Sequence, residues 1–461
     1  MAYYVLADFG STFTKAAVVS QEQERVIFST QYPSTVNTDA SIALEKCFAD
    51  IEGVIGKTAL KQAQISATSS AAGGLRMAVI GLTERLSLTA GKNVAFGAGA
   101  KIVGVSAGKL TADKMKRLQA MPLEMILFCG GYEKGARTVL IQNAKVLAAS
   151  DINCPIIFGG NSEVSHEVRS ILIQGNKECF VVPNIIPNVG ELETRGCEEI
   201  IRELFMKRII NMKGLSKIQK IVKTIIPTPA AVLAAGNLLS KGTDDHEGYG
   251  EMMIVDVGGA TTDIHSYLDN MPGEGAKLIG APEPYAKRTV EGDLGMRESS
   301  DTLLAEAGYE TVATELGIDV KQVHDSINER VNNHDFIAET GAEKQLDQQI
   351  AANAVKIAVR RHCGQWEPIH SSNCSKIQVG KNLENIKLVI GTGGPVINSL
   401  DPEKILRGVL RQKKDRYLLL PEESAFLIDR DYLLYAVGLL SEIDRDFAFK
   451  VMDNSLKSKQ S

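Results

Sequence analysis

The stretch YYVLADFGSTFTK (residues 3–15) runs an apolar segment into Asp8-Phe9-Gly10-Ser11-Thr12-Phe13-Thr14-Lys15. Tyr3 to Ala7 reads as a buried strand, and the acid, glycine, hydroxyls and lysine fall where that strand must turn. The pattern returns far downstream. MMIVDVGGATTDIHSYL (252–268) reads as a hairpin whose turn is Asp256-Val257-Gly258-Gly259-Ala260-Thr261-Thr262-Asp263. Glycine lets a backbone approach an oxyanion closely. Ser and Thr add donors beside free backbone N–H groups, which makes an anion cradle. The carboxylates make sense beside phosphate only if Mg²⁺ lies between, held by oxygen ligands or their waters. Two such hairpins facing each other would clamp a nucleotide polyphosphate. A third turn, in KLVIGTGGPVINSL (387–400), carries Gly391, Gly393 and Gly394, where a base or ribose can lie against bare backbone. Singly, each turn reads as an ordinary β-turn. Three in this order, at domain-sized intervals, are far more specific.

The bulk numbers narrow the field. At 461 residues the chain is too long for one ordinary core, so two or more domains are expected. A hydrophobic content of 44% and a charged content of 23% are those of a soluble globular protein. The formal net charge of -5 argues against a dedicated nucleic-acid binder. No apolar run reaches membrane-spanning length, and the N-terminal residues show no export signal. Seven scattered cysteines without a CxxC fit a reducing cytosol, so a cytoplasmic location is expected. His362, Cys363, His370 and Cys374 lie close in sequence but match no common zinc spacing.

Along the chain, 26–32 reads as a strand neighbouring 3–8, 41–55 as a helix, and 64–82 as strand, small-residue loop and strand. Residues 85–110 mix helix-like and strand-like pieces. From about 105 to 190, apolar strands alternate with amphipathic helices, which predicts an inserted α/β subdomain. Its expected strands include 124–131, 138–144 (TVLIQNA), 154–160 and 179–185; its expected helices are 111–121 and 162–175. Helices are expected over 196–215 and 225–241, then a polar linker at 241–251. Residues 299–365 read as mostly helical, 430–443 as a helix, and the tail DNSLKSKQS as frayed. The expected domains are 1–245, with the insert, 250–430, and a C-terminal helix and tail over 431–461.

The order of the three turns resembles the actin-like ATPase superfamily of sugar kinases, heat-shock chaperone ATPases and actin. DFGSTFTK resembles its first phosphate motif, DVGGATTD its second and IGTGGP its adenosine motif. PTPAAVLAAG (227–236) and YLLYAVGLLS (432–441) resemble its two connecting helices. The resemblance implies a two-lobed actin-like (ribonuclease H-like) α/β fold. The three motifs, KRTVEGDLGMR (287–297) and the stretch from LIQNAKVLA to VVPNIIPNVGELE are also similar to the accessory proteins of glutamate mutase (methylaspartate mutase). That family is viewed as ATP-dependent reactivating chaperones of adenosylcobalamin mutases.

The resemblance implies roles. Asp8 would hold Mg²⁺ through water; Gly10, Ser11, Thr12 and Lys15 would meet phosphates. Asp256 would orient or activate the attacking water, or share the Mg²⁺; Gly258, Gly259 and Thr261 would cradle the β- and γ-phosphates. Asp263 reads as structural, bonding its own hairpin's backbone. Arg288, Glu291, Asp293 and Arg297 form either a solvated loop or part of the cleft wall. The expected cofactors are ATP and Mg²⁺, with no directly bound cobalamin. Asp244 to Tyr249 approaches the cobalamin fingerprint Asp-x-His-x-x-Gly but ends in tyrosine and lies in the linker. The expected partner is glutamate mutase or a related cobalamin mutase or aminomutase. Rival readings are a small-molecule kinase, a filament-forming actin-like protein and an Fe–S activator, the last lacking paired cysteines.

Overall fold

The computed structural model describes all residues except 1, 11–12, 37, 71–74, 211–217, 219–220, 273–274, 334–335, 369–375 and 459–461. The chain forms two compact units. The first comprises Met1–Ala235, Gly280–Pro284 and Tyr435–Val451. The second comprises Gly236–Ile279, Tyr285–Leu434 and Met452–Ser461. The chain passes from the first to the second within the helix Thr228–Lys241, returns briefly over Gly280–Pro284, and passes back within the helix Leu434–Ser441 before crossing once more within the helix Arg445–Ser458.

In the first unit the strands are β1 (Tyr3–Phe9), β2 (Phe13–Ser20), β3 (Arg25–Pro33), β4 (Gln64–Ser69), β5 (Arg76–Gly81), β6 (Lys101–Ala107), β7 (Met125–Gly130), β8 (Ile156–Gly160), β9 (Cys179–Val181) and β10 (Thr224–Pro227). One sheet has the order β10-β4-β1-β2-β3. β1 is antiparallel to β2 and parallel to β4. Val5 to Phe9 are all buried, an apolar run broken only by Asp8, as fits a central strand covered on both faces. The expectation that 26–32 neighbours 3–8 is corrected here. β2 lies between them, since the turn at Gly10 folds the chain straight back onto β1.

The second unit contributes β11 (Met252–Val257), β12 (Thr262–Tyr267), β13 (Ala276–Ile279), β14 (Ala286–Glu291), β15 (Gln365–Pro368), β16 (Lys376–Val379), β17 (Leu388–Thr392) and β18 (Ala425–Ile428). Its main sheet has the order β14-β12-β11-β17-β18, and β13, β16 and β15 make a small separate sheet. Numbered along the chain within its own sheet, each unit has the order 3-2-1-4-5. In each, the second strand runs against the first and third, and the fourth runs with the first. This twice-built ribonuclease H-like sheet is the actin-like α/β fold. The second unit's core gathers around the helix Gly341–His362, which starts in a full capping box at Thr340 and Glu343.

The other sheet of the first unit, β6-β5-β7-β8-β9, is all parallel. Its chain order is 2-1-3-4-5, a doubly wound arrangement of the flavodoxin type. Alternate residues of β5 and β7 serve two cores. Met77, Val79, Met125 and Leu127 share the core of the first sheet. Ala78, Ile80, Ile126 and Phe128 pack in a second core, which includes Leu118, Leu140 and Leu172 from three covering helices. The sequence expectation starts this subdomain at about 105; its first strand is Arg76–Gly81.

Two local expectations are corrected. TVLIQNA is not a strand but opens the helix Thr138–Ala148. Its buried Leu140, Ala144 and Leu147 recur at helical spacing, and a short apolar run does not by itself separate the two periods. DNSLKSKQS is helical as far as Ser458, with Leu456 buried. The helical stretch expected over 196–215 is described as Arg195–Ile210; 211–215 lie outside the described residues. Within the first unit the two passing helices approach closely: a Cβ on Gly438 would lie 2.1 Å from the Ala231 carbonyl oxygen. No helix among the described residues is long and apolar enough to cross a membrane.

Candidate functional site

The two acid-glycine hairpins close in the same way. In the first, the Gly10 N–H donates to the Phe13 carbonyl at 3.0 Å. A Cβ at position 10 would sit 2.5 Å from that oxygen, so the turn requires glycine. Two residues back, Asp8 lies opposite Lys15 in the β1–β2 register. Asp8 is buried, and its Oδ1 accepts hydroxyl hydrogens from Thr68 at 2.8 Å and Thr228 at 2.7 Å. Burial pushes its carboxyl above the ordinary range, against the pull of the Thr228 and Thr68 hydroxyls and the nearby Lys15 charge. Ser11 and Thr12 lie outside the described residues.

In the second hairpin the Gly258 N–H donates to the Thr261 carbonyl at 2.9 Å. The carbonyl side of this turn is held by the segment 294–298. Met296 N–H bonds the Gly258 carbonyl at 3.0 Å, and Arg297 and Glu298 N–H bond the Gly259 carbonyl at 2.8 and 3.0 Å. The Thr262 hydroxyl donates to the Leu294 carbonyl at 2.8 Å. With the carbonyls engaged, the N–H groups of Gly259, Ala260 and Thr261 have no hydrogen-bond partner among the described residues, and Gly259 is exposed. Consecutive free amides on a turn make an anion-binding nest.

Asp256 stands directly opposite Asp263 across this hairpin. Asp263 is not bonded to its own backbone as expected. Arg288 pairs with its Oδ2 through Nη2 at 2.6 Å and Nε at 3.1 Å. Both side chains are buried, so Arg288 neutralises the inner acid while Asp256 stays half-buried.

The glycine turn joins the same site because β17 runs parallel to β11, with Thr392 in register with Asp256. Gly393 has φ +91, and a Cβ there would lie 2.2 Å from the Val257 carbonyl and 2.7 Å from Asp256 Oδ1. Around Gly394 the space is open. At Gly391 the reason for glycine differs from the expectation. Leu406 and Val396 fill the side-chain space at 2.8 and 2.9 Å, so this residue serves the core.

Sequence reading missed Asp429, which follows β18. It is buried and accepts from the Leu433 and Leu434 N–H groups at 2.8 and 3.2 Å and from the Thr392 hydroxyl at 3.1 Å. Burial raises its carboxyl to about 6 despite those bonds. A carboxyl raised on folding favours the folded state below its unfolded value and loses that contribution as pH rises through its folded value. Lowering pH from 7 to 5 should therefore add about 1 kcal/mol through Asp429. Denaturant melts of wild type and Asp429→Asn at the two pH values check this; an equal gain in both rules out Asp429 as its source.

The MutL protein family model matches residues 4–456. Protein MutL of Clostridium tetanomorphum is 36% identical over 459 residues, covering 99% of each chain. The chain belongs to the MutL protein family. Among solved structures, nucleotide-free acetone carboxylase shares 12% identity at a TM-score of 0.41, covering 95% of this chain and 69% of that one. The activator of 2-hydroxyisocaproyl-CoA dehydratase from Clostridium difficile, with bound ADPNP, shares 11% identity at a TM-score of 0.30, covering 99% and 97%. Neither likeness assigns a chemistry to this MutL-family chain.

In this MutL-family chain, Asp256, Gly258, Gly259, Thr261, Gly393 and Gly394 come together within the second unit, and Asp8, Gly10 and Lys15 within the first. Arg361 binds Glu291 at 2.6 Å and Asp293 at 2.8 Å, and Arg297 binds Asp347 at 2.7 Å, so the loop's charges are paired with the helix Gly341–His362. Both ring nitrogens of His362 are engaged, by Ser266 and Thr289; His370 and Cys374 lie outside the described residues. Among the described residues no group of three or more His, Cys, Asp or Glu converges as a metal cage. Mg²⁺ asks for less: one or two carboxylates beside waters and phosphate oxygens. Asp8 fits that demand, since no hydrogen bond among the described residues reaches its Oδ2.

Proposed function

We propose that this protein is an ATPase that reactivates an adenosylcobalamin-dependent mutase, namely glutamate mutase or a related mutase or aminomutase. The observation that carries the nucleotide reading is the turn at Gly258–Thr261, where three free amides sit beside Asp256 and the open backbone of Gly394. Under this reading those amides bind the β- and γ-phosphates, and the backbone at Gly393 and Gly394 receives the adenosine. Gly10, Ser11, Thr12 and Lys15 bind the phosphates from the first hairpin. Asp8 and Asp256 hold Mg²⁺ through its waters, which supplies charge neutralisation when bound. Asp256 orients the attacking water and accepts its proton.

The mutase link is supported by membership of the MutL family together with the resemblance to glutamate mutase accessory proteins. In this reading the protein acts in the cytoplasm and binds no cobalamin itself. It engages the mutase through the inserted sheet and differs in mutase affinity between its ATP and ADP states. Nucleotide shifts that balance only by as much as it binds the two states unequally.

The test is ATP hydrolysis with Mg²⁺, alone and with glutamate mutase carrying damaged cobalamin. The expected result is ATP-dependent recovery of mutase activity once fresh adenosylcobalamin is added. Turnover without recovery would remove this mutase and direct the assay to other cobalamin enzymes, then to small-molecule phosphoryl acceptors. Absence of ATP binding would remove the reading altogether.

A further inference from the structure

Asp429 joins two features that sequence keeps apart. Its N–H donates to the Gly391 carbonyl at 2.9 Å, its Oδ1 caps the helix Leu434–Ser441 through Leu433, and its Oδ2 bonds both Leu434 and Thr392. A helix cap alone does not call for this arrangement. Ser, Thr or Asn caps a helix without burying a charge. What the carboxylate adds is a second oxygen, and that oxygen holds the hydroxyl of the residue aligned with Asp256. The first hairpin has a counterpart: Asp8 accepts from Thr228, the first residue of the helix Thr228–Lys241. Two of the helices that carry the chain between units, Thr228–Lys241 and Leu434–Ser441, thus begin beside a threonine–aspartate bond belonging to a candidate nucleotide turn.

We propose that Asp429 is a positioning residue of the nucleotide site, fixing the glycine turn by tying Thr392 to the first turn of the helix Leu434–Ser441. This rests on the reading that the turn binds ATP. Preorganisation of a binding loop acts on affinity. Loss of the tie therefore weakens ATP binding and leaves turnover at saturation nearly intact.

Thr392→Val removes the hydroxyl at almost constant volume, and Thr392→Ser keeps it. Calorimetric titration of the full chain with ATP and Mg²⁺ should give a roughly tenfold weaker Kd for the valine variant. The serine variant should stay within about twofold of wild type, and kcat at saturating ATP should change less than about twofold in both. In hydrogen exchange, ATP should slow the Leu433 and Leu434 amides in wild type and not in Thr392→Val. Wild-type affinity in the valine variant, equal weakening by valine and serine, or equal ATP-dependent protection in wild type and valine variant would each overturn the proposal. Wild type that binds no ATP would overturn it differently, by removing the nucleotide reading beneath it.

Discussion

Replacing Asp256 with alanine should lower ATP turnover by about 10³-fold without lowering the stability of the protein. The two halves of that expectation come from different contacts. Asp256 is the half-buried carboxylate at the edge of the amide nest, next to Gly393, and a positioned base contributes about 10² to 10⁴ in rate. It stands half-buried opposite Asp263, whose charge the buried Arg288 already offsets, so the core ion pair survives its loss. Thermal melting should therefore stay close to wild type. Asp263 supplies the contrast. Asp263→Asn strips the partner from a buried guanidinium, which should cost about 3 kcal/mol. Paired melting curves and steady-state ATPase assays on the two variants separate the roles. Turnover close to wild type in Asp256→Ala would remove Asp256 from the chemistry, and a large fall in its melting temperature would make it a structural residue.

The parts of the site visible in the sequence are those set by one turn. Gly10, Gly258 and Gly393 announce themselves because a tight hairpin or a positive φ admits little else. The acids two residues before Gly10 and Gly258 follow from the same spacing. Gly391 carried the right letter for a different reason, since core packing and ligand approach both select glycine. Thr68, Thr228 and Asp429 were not legible. Each meets its partner through strand register or helix entry, across sequence separations of 60, 220 and 37 residues. The repeated 3-2-1-4-5 sheet was legible only through the order of the three turns and the fold it resembles, because pairing order leaves no mark on a buried strand beyond its apolar run. TVLIQNA failed for the converse reason: seven residues hold both periods, and the Asn143 contacts that tie the middle of this helix to its surroundings lie back at Gly108 and Leu110.

Gly393→Ala should be the most disruptive single methyl in the site. The new Cβ would meet the Val257 carbonyl at 2.2 Å and Asp256 Oδ1 at 2.7 Å, and backbone at φ +91 disfavours any L side chain. Backbone strain of about 1–3 kcal/mol in a positive-φ extended region open essentially to glycine alone and overpacking of about 1–3 kcal/mol add to roughly 3 kcal/mol of lost stability. The turn can relieve the clash only by moving away from Asp256, so ATP binding should fall with it. Gly394→Ala tests the neighbouring position with the opposite balance. Its Cβ would meet nothing nearer than Asn398 Nδ2 at 4.0 Å, so the melting temperature should hold. If adenosine lies against that bare backbone, the added methyl occupies the ligand's space, and ATP affinity should drop about tenfold with the fold intact. Stability measured by denaturant melts and affinity measured by calorimetry then give two distinct signatures from adjacent glycines. Unchanged stability in Gly393→Ala would contradict the close approach of the two turns. Unchanged affinity in Gly394→Ala would mean that adenosine is held elsewhere, leaving Gly394 to the start of the short helix Gly394–Ile397.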